Sequence, residues 1–180
     1  GTVYAPPSDG VGAFDASNGD RLWLHDLGDV AAPVSYSDGA VYVTAGASTY
    51  SIDAETGEQQ WSRRGTGASA STPVAVDGTV YVGLSSTLYA LGAQTGTVLW
   101  DESLNSPLAG APAVRDGTVY AATQEGNVYG FEADGGLEWV ADAGASVAGA
   151  PVATGDGVFV VGGRGDVVSL ETSNGDENWR

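Results

Sequence analysis

Residues Asp77–Trp100 read DGTVYVGLSSTLYALGAQTGTVLW, and their pattern is the strongest indication of the fold. Its hydrophobic residues alternate with small or polar ones, which is the pattern of short, half-buried β-strands. Asp77-Gly78 can supply the positive φ angles of a two-residue type I′ hairpin turn, and Thr95-Gly96 is predicted to act in the same way. The stretch therefore predicts antiparallel strands joined by tight turns.

Five landmarks of this stretch and its flanks recur along the whole chain in one order. A strand-opening glycine recurs at spacings of 38, 39, 39 and 40 residues, as Gly1, Gly39, Gly78, Gly117 and Gly157. An aromatic residue follows, three residues later as Tyr4, Tyr42, Tyr81 and Tyr120 and two residues later as Phe159. A turn glycine follows as Gly19, Gly57, Gly96, Gly135 and Gly175, and four residues after each stands Trp23, Trp61, Trp100, Trp139 or Trp179. The fifth landmark is a proline, Pro33, Pro73, Pro112 or Pro151.

Each repeat is predicted to hold four strands, for example Ala70–Asp77, Thr79–Leu84, Thr87–Ala93 and Thr97–Ser103. Two-residue turns are predicted between the first two strands at Asp38-Gly39, Asp77-Gly78, Asp116-Gly117 and Asp156-Gly157. The same device is predicted between the last two at Asn18-Gly19, Thr56-Gly57, Thr95-Gly96 and Asn174-Gly175. We interpret residues 1–180 as one domain with repeats 1–30, 31–69, 70–108, 109–147 and 148–180.

A four-stranded meander cannot bury both of its faces alone, so the repeats must stack in a ring or in an open solenoid. Four strands in about 40 residues favour the ring, and small residues such as those of Ala109–Val114 suit its crowded centre. The predicted fold is an all-β β-propeller of four-stranded antiparallel blades, four complete and most of a fifth. Two arrangements remain open: part of a larger ring, or a closed five-bladed ring with one thin blade.

The residues Ile52–Gly57 followed by Trp61 resemble the Ala-x-Asp-x-x-Thr-Gly-x-x-x-Trp tryptophan-docking motif of PQQ-like propeller repeats. Quinoprotein alcohol dehydrogenases and the BamB outer-membrane assembly lipoproteins contain such repeats. Weaker matches are Asp15–Trp23, Leu91–Trp100 and Leu170–Trp179, and Phe131–Trp139 is one residue short. The resemblance implies a ring of eight blades. In the dehydrogenases it implies PQQ, a Ca²⁺ ion, a catalytic Asp and usually a vicinal Cys pair, and this chain has no Cys.

The five tryptophans are predicted to be structural, each docking between adjacent blades with its indole N–H on a neighbouring carbonyl. A binding site would differ between blades, whereas these residues repeat in all of them. His25, with Asp26 and Asp29 nearby, is interpreted as an exposed loop residue because no nucleophile or orienting partner is evident by spacing.

The loops between the second and third strands are a candidate Ca²⁺ rim, because oxygen ligands suit that ion. They carry Asp9-Gly10, Glu125-Gly126-Asn127 and Arg164-Gly165-Asp166. We favour the simpler interpretation that these residues only make turns. No catalytic, cofactor-binding or metal-binding residue is predicted.

The chain is strongly acidic, with 23 Asp and Glu against six Arg and no Lys, giving a net charge of -17. Such a surface repels phosphate backbones and argues against nucleic-acid partners. The spread of acidic residues over the whole chain resembles the composition of proteins from salt-accumulating archaea. In those cells, concentrated salt screens the repulsion between the acidic groups. No apolar run approaches 18 residues, so no membrane span is predicted.

The function expected from the sequence is that of a non-catalytic scaffold that binds a protein or a ligand, outside the cell or at its surface. A fragment of a PQQ-dependent oxidoreductase is the first alternative, and only there are PQQ and calcium expected. A glycan-binding propeller is the second. Open terminal blades would lead to self-association.

Overall fold

The computed structural model describes residues 1–28, 30, 33–65 and 70–180. The predicted strand start at Ala31 and the repeat boundary at residue 69 lie outside these residues. The described chain is built of nineteen strands in five antiparallel sheets. The first sheet has three strands, β1 (Thr2–Ala5), β2 (Gly10–Asp15) and β3 (Arg21–Asp26).

The other four sheets have four strands each, paired in chain order. The second sheet holds β4 (Ser35–Ser37), β5 (Ala40–Ala45), β6 (Ser48–Asp53) and β7 (Gln59–Arg64). The third holds β8 (Val74–Val76), β9 (Thr79–Leu84), β10 (Thr87–Gly92) and β11 (Val98–Ser103). The fourth holds β12 (Ala113–Arg115), β13 (Thr118–Ala122), β14 (Asn127–Glu132) and β15 (Leu137–Asp142). The fifth holds β16 (Val152–Thr154), β17 (Gly157–Val161), β18 (Val167–Leu170) and β19 (Glu177–Trp179).

Each sheet is one propeller blade, so the predicted fold class is confirmed. In the third blade the predicted strand Thr79–Leu84 is observed with the same bounds, but the first strand is shorter than Ala70–Asp77. Pro73 has no N–H to give to the strand ladder, so regular pairing begins only at Val74. Before it, Ala70 makes a single isolated bridge to Leu84.

Three of the four hairpin turns between the first two strands have the predicted form. In the second blade Ser37 pairs with Ala40, and the φ angles of Asp38 and Gly39 are +49° and +78°. The prediction at Asp156-Gly157 is wrong by one residue, because Thr154 pairs directly with Gly157. The fifth blade therefore turns at Gly155-Asp156, where the hydroxyl of Thr154 accepts a hydrogen bond from the Asp156 N–H at 3.1 Å.

The turns before the tryptophans are wider than predicted. Ile52 pairs with Gln59, so the second blade turns through the six residues 53–58 rather than through Thr56-Gly57 alone. Only the glycine adopts the left-handed conformation, with φ of +75° at Gly57. The same correction applies to Asn18-Gly19, Thr95-Gly96 and Asn174-Gly175, whose turns close at wider pairs of residues.

A β-bulge accompanies each wide turn, in the strand that follows it, where one residue before the tryptophan is left without a partner. The register shifts after Ala13, Ser51, Ala90, Gly130 and Ser169. Each of these small residues lies directly opposite the tryptophan of its blade. At Gly130 a Cβ would stand only 2.5 Å from the Trp139 ring, so the tryptophan requires a small partner across the strand pair.

Among the described residues, the hydrophobic core forms four clusters, each between two neighbouring blades. The cluster between the second and third blades contains Tyr42, Trp61, Val80 and Leu84. Near the ring centre, a Cβ on Gly110 would lie 2.4 Å from the backbone N of Ala150 in the next blade. Glycine there allows the innermost segments to approach each other.

Candidate functional site

Four tryptophans join consecutive blades by the same hydrogen bond. Each indole N–H donates to a carbonyl oxygen in the wide turn of the following blade. The donor–acceptor distances are 3.0 Å for Trp23 to Ala54, 2.8 Å for Trp61 to Ala93, 2.8 Å for Trp100 to Ala133 and 2.9 Å for Trp139 to Thr172. Each of these half-buried or buried indoles is thus held by the backbone of the following blade, which accepts the hydrogen bond from the indole N–H.

The turn glycine of the receiving blade makes room for the tryptophan ring. A Cβ on Gly96 would lie 2.7 Å from the ring of Trp61, and one on Gly57 would lie 2.7 Å from the ring of Trp23. Gly135 and Gly175 receive Trp100 and Trp139 in the same way. The repeat glycines therefore combine a positive φ with a contact surface for an indole.

The two ends of the series differ from its interior. Trp179 is 52% exposed, whereas Trp61 and Trp139 are 8% and 7% exposed. Gly19 has no atom within 4 Å of the place where a Cβ would stand, although its φ of +78° matches the other turn glycines. Trp179 therefore does not dock on Gly19, and the five blades form an arc rather than a closed five-bladed ring.

His25 lies in strand β3 and is half-buried, so its interpretation as an exposed loop residue is wrong. Its Nδ1 is 3.0 Å from the carbonyl oxygen of Gly57 in the second blade. His25 stands two residues after Trp23, and its ring contacts the same wide turn that receives the Trp23 indole. Asp26 accepts a hydrogen bond from the N–H of Gly28, and Asp29 lies outside the described residues.

The carboxylates of the candidate calcium rim have protein partners or face solvent. Asp166 forms an ion pair with Arg180 at 3.1 Å, Glu125 accepts a hydrogen bond from the amide of Asn105 at 3.4 Å, and Asp9 is exposed. Within the described residues, no three His, Asp or Glu side chains converge in a geometry suited to a metal ion.

The aspartates that open the wide turns act as turn caps. The Asp53 carboxylate accepts hydrogen bonds from the Thr56 N–H at 2.8 Å, the Thr56 hydroxyl at 3.0 Å and the Glu55 N–H at 3.0 Å. These bonds, those from Thr56 foremost, lower the pKa of Asp53. The hydroxyl and then the N–H of Ser17 lower the pKa of Asp15 in the first blade.

One groove between blades departs from the repeat. It lies between the first and second blades, has a volume of about 560 Å³, and is lined in part by Tyr4, Trp23, Tyr36 and Glu55. The rings of Tyr4 and Tyr36 stack with centroids 5.3 Å apart and planes 10° apart. Tyr36 is 57% exposed, so one aromatic ring of this groove remains open to solvent. Sequence reasoning missed it, although Tyr36 interrupts a position that is otherwise aliphatic.

The comparisons with known proteins agree with this geometry. The family described as outer membrane protein assembly factor BamB matches residues 7–84 and, a second time, residues 69–180. The chain belongs to this BamB family of PQQ-like β-propeller proteins. The predicted family is thereby confirmed, and the tryptophan–carbonyl docking described above is the device that its repeat motif encodes in this chain.

The chain resembles part of several longer propeller proteins whose structures are solved. BamB from Moraxella catarrhalis superposes with a TM-score of 0.84 at 24% identity, over 99% of this chain and 59% of that one. The designed protein Ika8 superposes with a TM-score of 0.86 at 18% identity, over 99% and 57%. Quinohemoprotein alcohol dehydrogenase from Comamonas testosteroni gives 0.80 at 16% identity, over 97% and 40%.

These likenesses establish the fold, and the chain spans less than two thirds of each of these structures. No curated protein sequence matches the chain. In the described part of the chain there is no helix long and apolar enough to cross a membrane.

Proposed function

We propose that the chain is a non-catalytic propeller scaffold that binds a protein partner outside the cytoplasm. The observation that carries this proposal is the match to the BamB family over two overlapping ranges, since that family is described as an assembly factor for outer membrane proteins. We also propose an extracellular or cell-surface location, which the family's association with the outer membrane supports.

The use of the repeated residues supports a scaffold. Trp23, Trp61, Trp100 and Trp139 donate their indole N–H groups to the next blade, so these rings serve assembly of the propeller. His25 contacts the second blade in the same way. The surfaces left for a partner are the loops at the two rims and the grooves between blades, which is where propellers carry function.

A fragment of a PQQ-dependent oxidoreductase is the second candidate. It is favoured by the superposition on the Comamonas testosteroni quinohemoprotein alcohol dehydrogenase. The residues of this chain do not fit such a cofactor well. The chain has no Cys, and its described acidic side chains offer no converging set of three oxygen ligands that could hold the accompanying Ca²⁺.

Calorimetric titration separates these two candidates. The purified chain in molar KCl is titrated with PQQ in the presence of Ca²⁺, and a scaffold is expected to give no saturable heat. Saturable binding at micromolar PQQ would overturn the scaffold and favour the oxidoreductase.

Photo-crosslinking tests the partner directly. A photoreactive residue is placed at exposed Asp9 on the rim or, as the matched control, at buried Val82 in the core. In a cell-envelope extract of the source organism, we expect a discrete protein adduct from the rim position alone. An equal pattern of adducts from both positions would contradict specific partner binding.

The open ends of the arc belong to the same proposal. The exposed Trp179 presents the docking group of a blade, and Gly19 presents the receiving surface. We infer that further blades of the same kind occupy these ends in a larger ring, and that the isolated chain self-associates through them. Sedimentation in molar salt is expected to show association that Trp179→Ala weakens, whereas a monomer at all concentrations would contradict it.

A further inference from the structure

The groove between the first and second blades is built on a residue that breaks the repeat. Tyr36 is the middle residue of β4 and pairs with Val41. The corresponding residues in the next three blades are Ala75, Val114 and Ala153. A feature that serves only the stacking of blades should recur in each of them, so the aromatic ring at Tyr36 requires a different explanation.

Three aromatic rings form a continuous wall in this groove. Trp23 and Tyr4 make the tilted pair that recurs in every blade, with centroids 5.9 Å apart. Tyr36 adds a third ring, stacked on Tyr4 and more than half exposed. Ring faces are apolar and carry negative electrostatic potential, so an exposed face beside a cavity can hold an apolar group by contact or attract a cation.

The charge of the residues that line the groove favours a cation over an apolar group. Carboxylates of Asp38, Asp53 and Glu55 line the groove, and none of its lining residues, all of them in the described part of the chain, is basic. Burial first, and then the nearby Tyr36 and Asp53, raise the pKa of the Tyr4 hydroxyl. A positively charged group is thus attracted both by the ring face and by the surrounding carboxylates.

The size of the groove also suits a side chain rather than a bare ion. Its volume of about 560 Å³ lies within the usual range of ligand pockets, roughly 300–1,000 Å³. The corresponding grooves between later blades have volumes of about 470, 340 and 280 Å³ and lack the added aromatic ring. Asp53 is already engaged by its own turn, whereas Glu55 is exposed at the mouth.

We propose that this groove binds the guanidinium group of an arginine side chain, presented by a basic segment of a protein partner. The planar guanidinium stacks on the Tyr36 ring, and its N–H groups donate to the carboxylates of Glu55 and Asp38. This inference rests on the proposed function, because it names the chemistry of the partner that the scaffold binds. According to this inference, the groove rather than the rim loops recognises the positive charge of the partner.

The test is a titration of the ¹⁵N-labelled chain with blocked Gly-Arg-Gly peptide, followed by NMR. The control peptide carries citrulline, which keeps the shape of arginine and removes its charge. We expect shifts confined to residues around the groove and an affinity for the arginine peptide at least about fivefold above that for the citrulline peptide. Equal affinities, or shifts elsewhere on the surface, would overturn the proposal.

Substitutions at Tyr36 separate the contribution of its ring to binding from any contribution to folding. Tyr36→Ala installs the residue that Ala75 and Ala153 already provide in other blades, so the blade should fold, and circular dichroism checks that it does. We expect Tyr36→Ala to weaken arginine-peptide binding at least about fivefold and Tyr36→Phe to change it less than about twofold. Glu55→Gln should weaken it, whereas Asp101→Asn, at an exposed carboxylate of the third blade, should not. Unchanged binding by folded Tyr36→Ala would overturn the proposal.

Three further outcomes would also contradict the proposal. Binding of a methyl glycoside in preference to the arginine peptide would replace the cation by a sugar and overturn the inference. A rim crosslink to a protein partner without arginine-peptide binding would also overturn it while leaving the scaffold in place. Saturable PQQ binding would contradict the scaffold function on which this inference rests, regardless of the result with the arginine peptide.

Discussion

The indole N–H of Trp61 donates a hydrogen bond of 2.8 Å to the carbonyl oxygen of Ala93 in the next blade. The two residues are separated by 32 positions in the sequence, so this bond closes the contact between two repeats. The same relationship recurs at three other blade boundaries. The stability of the arc therefore depends on the docking of each tryptophan.

Truncation of a docked tryptophan should be costly, and truncation of the open one should not. Trp61→Ala removes a buried ring and the shorter of the two hydrogen bonds that the Ala93 carbonyl accepts, the other coming from the Tyr42 hydroxyl, so we expect a loss of about 3–5 kcal/mol in the free energy of unfolding. Trp179→Ala is the matched control, and we expect less than about 1 kcal/mol because that ring is exposed. Chemical denaturation measures both. Equal losses would show that docking does not distinguish the two rings.

The receiving glycines allow a second matched comparison. Gly96→Ala and Gly19→Ala place a side chain at similar positive φ angles, +65° and +78°, so the backbone strain of roughly 1–2 kcal/mol is shared. Only Gly96→Ala drives a Cβ against Trp61, which should add about 1–3 kcal/mol. Thermal unfolding gives the difference between the variants. If the variants lose equal stability, the turn glycines serve backbone conformation alone.

The turn cap at Asp53 predicts a dependence of stability on pH. Its pKa is lowered in the folded state, so the stability that the carboxylate contributes is complete above its unfolded pKa of about 3.9 and is lost as the pH falls through the lower folded value. Asp53→Ala should therefore destabilise the chain at pH 7, and the gap to the parent chain should narrow below about pH 4. Asp53→Asn keeps an acceptor and should lose less. A gap that stays constant from pH 7 to pH 3 would contradict the cap.

Salt should stabilise the chain at neutral pH. A net charge of -17 produces self-repulsion, and molar salt reduces the Debye length to about 3 Å. We expect the melting temperature at pH 7 to rise from 0.1 M to 2 M KCl. The rise should shrink near pH 4.1, where the net charge is close to zero. Melting temperatures that are flat or falling at pH 7 would be inconsistent with repulsion as the cause.

Much of this architecture could be predicted because it depends on local signals that recur. Asp77-Gly78 determines a hairpin by its own backbone preferences, and the alternation in Thr79–Leu84 fixes a strand with the observed bounds. The wide turn at 53–58 was missed because its form depends on the Asp53 carboxylate capping backbone groups two and three residues later. The sequence carries that signal in the first two blades, where Asp15 and Asp53 stand three residues before the Asn-Gly and Thr-Gly pairs.

Other features depend on pairing across the structure. The bulge at Gln60 and the contact of His25 with Gly57 follow from registers between strands and blades, which spacing alone does not determine. The aromatic groove is formed when Tyr36 of the second blade meets Tyr4 of the first. The local signal at Tyr36 is its departure from an otherwise aliphatic repeat position. Aligning the repeats position by position would have revealed it.

Hydrogen exchange of the five indole N–H groups reports whether each tryptophan is docked on a neighbouring blade. In a dilute, monomeric sample of the ¹⁵N-labelled chain, the indole groups of Trp23, Trp61, Trp100 and Trp139 should exchange at least about tenfold more slowly than that of Trp179, which Trp179→Phe identifies. Slow exchange at four indoles and fast exchange at Trp179 is the result that blade-to-blade docking in an open arc predicts. Equal protection of Trp179 in the monomer would mean that it docks on the first blade, and fast exchange at all five would mean that the tryptophans do not join the blades.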